Sequence, residues 1–206
     1  MTPPRDSLPA VLRWTVRIAM ALLALGVLAA PAIAQASPSA GAARVRDSAT
    51  AQPDSSAPYA YLKNYHSGKC LEVPAFSTTA GTQLDQWSCN GGTNQLWRPQ
   101  LNASGNHVFI NEHSGQCINV RGYGTSNGAA IQQWPCNWAT ATTNEIWYPY
   151  LFIGNMNSLS WYEWAGLQSN KCLNVSGDST ANGAKIILWD CIPTASNEWF
   201  ALPYAS

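Results

Sequence analysis

Charge is what this sequence has least of. Asp, Glu, Lys and Arg make up 11% of its 206 residues, less than half the roughly 25% usual in soluble domains. Acidic and basic residues number 11 each, so the formal net charge is zero. Without a basic excess, the chain lacks the electrostatic footprint of a nucleic-acid binder. Low charge combined with 10 Trp, 8 Tyr and 4 Phe excludes a disordered, self-repelling chain. After residue 58 no window keeps a 3.6-residue apolar period, which excludes a helical bundle. No run beyond the N-terminal stretch could span a bilayer. The six Cys include no close C-x₂₋₄-C pair of the kind that structural zinc favours. An H-E-x-x-H helix and a phosphate-binding loop are missing too.

What is present begins with a leader. Arg5, Arg13 and Arg17 precede an uncharged apolar run from Ile18 to Ala30, and small residues follow at Ala32, Ala34 and Ala36. This is the three-part build of a secretory signal peptide over 1–36, with cleavage after Ala36 preferred and after Ala34 as the second frame. An uncleaved anchor is the alternative, although an apolar heart of 13 residues is short for a span. Residues 37–58 are an Ala/Ser/Pro linker with no aromatic and one Val, a composition that cannot bury a core. An exported chain with an even number of Cys is expected to be oxidised.

Residues 59–206 hold a threefold repeat. Cys70 and Cys89, Cys117 and Cys136, and Cys172 and Cys191 are each 19 apart. HSGKCLEV, HSGQCINV and QSNKCLNV recur around the first Cys of each pair, QLDQWSC, AIQQWPC and KIILWDC around the second, and TNQLW, TNEIW and SNEWF close each unit. The copies fill about 59–104, 105–153 and 154–206, the third following a longer connection, FIGNMNSLSWYEW. Equal repeats select the same disulfide three times: Cys70–Cys89, Cys117–Cys136 and Cys172–Cys191.

Polarity alternates residue by residue near each Cys, and Gly/Asn/Ser/Thr clusters interrupt the runs, so the segment is expected to be all-β with short strands. Closure into a pseudo-threefold barrel-like body would remove exposed edges. If Cys70 sits opposite Cys89 on antiparallel strands, then Glu72 faces Trp87, Asn119 faces Trp134 and Asn174 faces Trp189. Alternation then puts Cys70, Glu72, Asp85, Trp87 and Cys89 on an outward face and Leu71, Val73 and Leu84 in the core.

The C-L-x-V, Q-x-W-x-C and N-Q-x-W pattern, three times over, resembles the ricin B-chain type lectin domain and its relatives, the family 13 carbohydrate-binding modules of secreted actinobacterial glycosidases. The resemblance covers essentially all of 59–206. It implies a β-trefoil of three four-stranded repeats, with Trp97, Trp147 and Phe200 in the central core. It also implies a sugar site per repeat. In the first the residues are Glu72, Asp85, Trp87, Asn94 and Gln95. In the second they are Asn119, Gln132, Trp134 and Asn144, with Glu145 at the Gln95 position. In the third they are Asn174, Trp189 and Asn197, with Ile187 and Glu198 completing the alignment. The aromatic stacks on the pyranose, and the residue two after the first Cys accepts sugar hydroxyls. The family's Asp at that acceptor position is replaced throughout, by Glu72, Asn119 and Asn174. Only the first repeat keeps a charge there, and charge-assisted hydrogen bonds are the stronger kind, so the first repeat ranks highest.

The expectation is a secreted, monomeric carbohydrate-binding protein. It uses no cofactor or metal, no nucleic acid, and no membrane insertion after cleavage. It is not an enzyme, because few carboxylates are available to face each other across a cleft. The alternative is a trefoil that binds protein instead, as a protease inhibitor or cell-surface adaptor, since one fold hosts unrelated functions. That alternative expects Trp161, Tyr162 and Trp164 of the long connection to form an exposed patch.

Overall fold

The computed structural model describes residues 57–102, 104–137 and 143–204. The expected leader, its cleavage positions and nearly all of the linker lie outside the described residues. Thirteen short strands form the body, with single 3₁₀ turns between them and no α-helix among the described residues. They are β1 (Ala60–Tyr61), β2 (Lys63–Asn64), β3 (Cys70–Glu72), β4 (Asp85–Trp87), β5 (Leu96–Leu101), β6 (His107–Asn111), β7 (Cys117–Val120), β8 (Ile131–Trp134), β9 (Trp147–Met156), β10 (Leu159–Gly166), β11 (Cys172–Val175), β12 (Ile186–Trp189) and β13 (Trp199–Ala201). The thirteenth arises because the first strand of repeat one is split at Leu62, whose carbonyl accepts from Leu71 N–H.

Pairing runs β1-β5-β6-β9-β10-β13-β2. Since β1 and β2 are halves of one strand, this is a closed ring of six strands. From β2, β6 and β10 hang the hairpins β3–β4, β7–β8 and β11–β12. The hairpins meet in a triangle through bridges Gln83↔Gln132, Asp85↔Lys185 and Ala130↔Ile187. A six-stranded barrel capped by three hairpins is a β-trefoil.

The core repeats with the sequence. Trp97, Trp147 and Phe200 are fully buried, joined by Leu71, Ile118 and Leu173 and by Leu84, Ile131 and Ile186. The two indoles also close a polar debt of the backbone: Trp97 Nε1 donates to Leu71 O at 3.0 Å and Trp147 Nε1 to Ile118 O at 3.2 Å. The three disulfides pair as expected.

The expected register is wrong by two residues. Cys70 pairs with Trp87, and Glu72 with Asp85. Likewise Cys117 pairs with Trp134 and Asn119 with Gln132, while Cys172 pairs with Trp189 and Asn174 with Ile187. The second Cys of each pair lies beyond the end of its strand, so the disulfide reaches diagonally, with Cα atoms 5.0–5.1 Å apart. A shift of two preserves faces, which is why Leu71, Val73 and Leu84 are still core.

The long connection forms the β9–β10 hairpin, with register shifts between Trp161 and Tyr162 and between Glu163 and Trp164. Trp161 and Trp164 are only 3% exposed, so the expected aromatic patch does not exist. Trp161 Nε1 donates to Met156 O, and Trp164 packs edge-on against Phe109. The exposed side chains are instead Tyr150, Leu151 and Phe152 on β9.

Candidate functional site

Each hairpin presents one indole to solvent. Trp87, Trp134 and Trp189 are 42%, 45% and 38% exposed, and each is the last residue of its strand. The polar residues around them are not outward-facing in the same sense. Glu72, Asp85, Asn94, Asn119, Gln132, Asn144, Asn174 and Asn197 are all buried. They are covered because the turn that closes each repeat packs over the hairpin, as when Val73 N–H donates to Asn94 O. The three Asn of the closing motif play one structural role: Asn94, Asn144 and Asn197 donate through Nδ2 to the carbonyls of Val73, Val120 and Val175.

Gln95, Glu145 and Glu198 hold backbone groups. They accept from the N–H of Asn90, Asn137 and Ile192 respectively. Each also bonds the residue two after the first Cys, and here the repeats differ. In repeat one Gln95 Nε2 donates to Glu72 Oε2 at 2.8 Å, and Asn94 Nδ2 reaches the same oxygen. In repeats two and three the direction reverses, with Asn119 Nδ2 donating to Glu145 Oε1 at 3.2 Å and Asn174 Nδ2 to Glu198 Oε1 at 2.9 Å. The carboxylate absent at Asn119 and Asn174 has moved to the partner position. Taking the positions one by one, sequence reasoning missed this exchange; taken as pairs, Glu72/Gln95, Asn119/Glu145 and Asn174/Glu198 display it.

In the first repeat two carboxylates face each other across the hairpin. Burial pushes Glu72 up, partly offset by the Gln95 hydrogen bond. Burial also pushes Asp85 up, offset by Lys185, whose Nζ lies 2.9 Å from Asp85 Oδ2. Asp85 is thus committed to a lysine of the third repeat.

In the second repeat Gln132 Nε2 donates to Asn119 Oδ1 at 3.0 Å, and Arg121 Nε donates to Gln132 Oε1 at 2.8 Å. These groups line a cavity of about 770 Å³ with Trp134, Tyr123 and Asn144. Gly81 of the first repeat closes one wall. Its φ of +87° favours glycine, and a Cβ there would stand 3.6 Å from the Trp134 ring. In the third repeat Asn174 faces the apolar Ile187. Among the described residues no group of three His, Cys, Asp or Glu could hold a metal ion.

Two further features escaped the sequence reading. Gly124-Thr125-Ser126-Asn127-Gly128 has the G-x-S-x-G spacing of a nucleophile elbow. That motif needs a strand-to-helix turn, whereas this segment is the bend between β7 and β8. Glu163 on β10 is completely buried, and neither of its carboxylate oxygens has a hydrogen-bond partner.

Residues 50–134 and 97–189 match the family described as ricin-type beta-trefoil lectin domain-like. The designed threefold-symmetric protein ThreeFoil is similar in structure, with TM-score 0.64 and 29% identity over 71% of this chain and 99% of that one. An exo-β-1,3-galactanase from Clostridium thermocellum aligns with TM-score 0.65 and 23% identity, over 72% of this chain but 30% of the enzyme. The C-half of the earthworm R-type lectin, solved with GalNAc, aligns with TM-score 0.55 and 18% identity over 72% and 99% of the two chains. With the family match spanning most of the trefoil and an exposed indole ending each of the three hairpins, the chain belongs to the ricin-type β-trefoil lectin domain family.

Proposed function

We propose that this protein is a secreted, non-catalytic lectin that binds glycan or polysaccharide weakly through its hairpin indoles. It would leave the cell by a signal peptide cleaved after Ala36 and carry its trefoil, 59–206, on the 37–58 linker. The observation that carries the reading is the cavity of about 770 Å³ in the second repeat, which the exposed Trp134 lines together with the buried amides of Asn119, Gln132 and Asn144. An exposed ring supplies a stacking platform for a pyranose, and fixed amides supply directional hydrogen bonds. This gives first rank to repeat two, which holds the cavity, in place of repeat one. The first and third indoles serve as weaker sites.

One ring contact is worth about 0.5–1.5 kcal/mol, and each net hydrogen bond about 1 kcal/mol. A few of each give Kd values on the order of millimolar per site. Three sites on one body raise the affinity for a polymer by avidity. A glycan array followed by pull-down on insoluble polysaccharides tests this. Trp134→Ala should cause the largest loss of binding, and Trp87→Ala and Trp189→Ala should chiefly reduce retention on polymer. Failure of the intact protein to bind any glycan would leave the protein-binding trefoil as the better reading.

A further inference from the structure

The three sites are alike in their indoles but not in their charge. At the position four after the first Cys, repeat two carries Arg121, where repeats one and three carry Pro74 and Ser176. Arg121 is exposed and lines the cavity. It is held in place by two hydrogen bonds, Nε to Gln132 Oε1 at 2.8 Å and Nη2 to Gly81 O at 2.7 Å. Among the described residues it makes no ion pair with a carboxylate. The one carboxylate lining that cavity, Glu145, is buried and turned to Asn119 Nδ2 and the Asn137 N–H. A guanidinium has five N–H donors in a fixed fork that fits a carboxylate. Here two of the five are used to orient it and the rest remain for a ligand.

We propose that the second-repeat cavity selects an acidic sugar, a uronic acid residue of a polysaccharide. The Arg121 fork receives the sugar carboxylate while the pyranose ring rests on Trp134. The first repeat lacks that fork, because Pro74 stands at the Arg121 position and the lysine beside its hairpin, Lys185, is paired with Asp85. This inference rests on the lectin reading and deepens it by naming the ligand class at one site.

The test uses the full chain with Trp87→Ala and Trp189→Ala, so that only the second site reports. Calorimetric titration compares oligogalacturonide and oligoglucuronide with their methyl esters, which keep the sugar and remove the charge. The free acid of at least one should bind about tenfold more tightly than its ester, and the preference should shrink at high ionic strength. Arg121→Gln should bring acid and ester to the same affinity, while Trp134→Ala should abolish both. Should Arg121→Gln not fold, the salt dependence of the acid-to-ester ratio in the parent decides alone. Equal binding of acid and ester, or an acid preference that survives Arg121→Gln or high salt, overturns the inference. So does binding of neutral glycans with none of the uronates, and in that case the lectin reading stands. If neither uronates nor neutral glycans bind the intact protein, the lectin reading itself falls.

Discussion

Replacing Glu163 by Gln should stabilise the protein by an amount that grows as pH rises from about 4.5 to about 7. Glu163 lies between Leu151 of β9 and Trp199 of β13. Burial, with Glu198 nearby, pushes its carboxyl from 4.5 up to about 7. Between those two values the folded chain holds a proton that the unfolded chain has released. Stability therefore falls as pH rises from about 4.5 to about 7 and levels off above. A gap of some 2.5 units corresponds to about 3 kcal/mol. Glu163→Gln has no proton to lose and keeps the shape of the neutral acid. Urea denaturation of both proteins from about pH 4 to pH 9 reads the effect as a double difference that cancels other groups. The two should be nearly equal near pH 4.5, and the variant should be more stable by roughly 3 kcal/mol at pH 8. A difference that does not change with pH, or a variant less stable at pH 8, refutes the argument.

Trp97→Ala should cost about 3–5 kcal/mol, because it empties the fully buried core and orphans the Leu71 carbonyl; Trp87→Ala should shift the melt by less than about 1 kcal/mol, and comparing the two by thermal unfolding checks which ring is structural. Peptide mapping without reduction should return only Cys70–Cys89, Cys117–Cys136 and Cys172–Cys191 as linked pairs, and removal of any one pair should cost on the order of 3 kcal/mol for a loop of this length.

The core was legible because the repeat displays it three times: Leu71/Ile118/Leu173 directly follow the first Cys of each pair, Trp97/Trp147/Phe200 end each closing motif, and all are buried. Register was not, because nothing in the spacing says that Cys89 lies past the end of β4, and a bridge spans diagonal partners as readily as opposite ones. Faces survived since the slip was even. Burial of Glu72 and Asp85 could not be read from strand alternation, which knows two faces but not that the turn carrying Asn94 and the lysine at 185 cover one of them. The cavity of repeat two depends on Gly81 of repeat one and on the Arg121–Gln132–Asn119 chain, a contact between copies that a repeat alignment removes from view. The long connection misled because its aromatics look surplus, whereas Trp164 takes the core place that Leu62 and Phe109 hold in the other repeats.

Sugar contact at the hairpin indoles is most directly measured by ¹H–¹⁵N NMR of the Trp Nε1–H signals during titration with a glycan that scores on the array, each signal assigned by single Trp→Phe variants. The Trp134 signal should move first and furthest, Trp87 and Trp189 should follow at higher concentration, and the buried Trp97 and Trp147 should stay fixed. Saturable binding that leaves Trp87, Trp134 and Trp189 all unmoved would contradict the site described here.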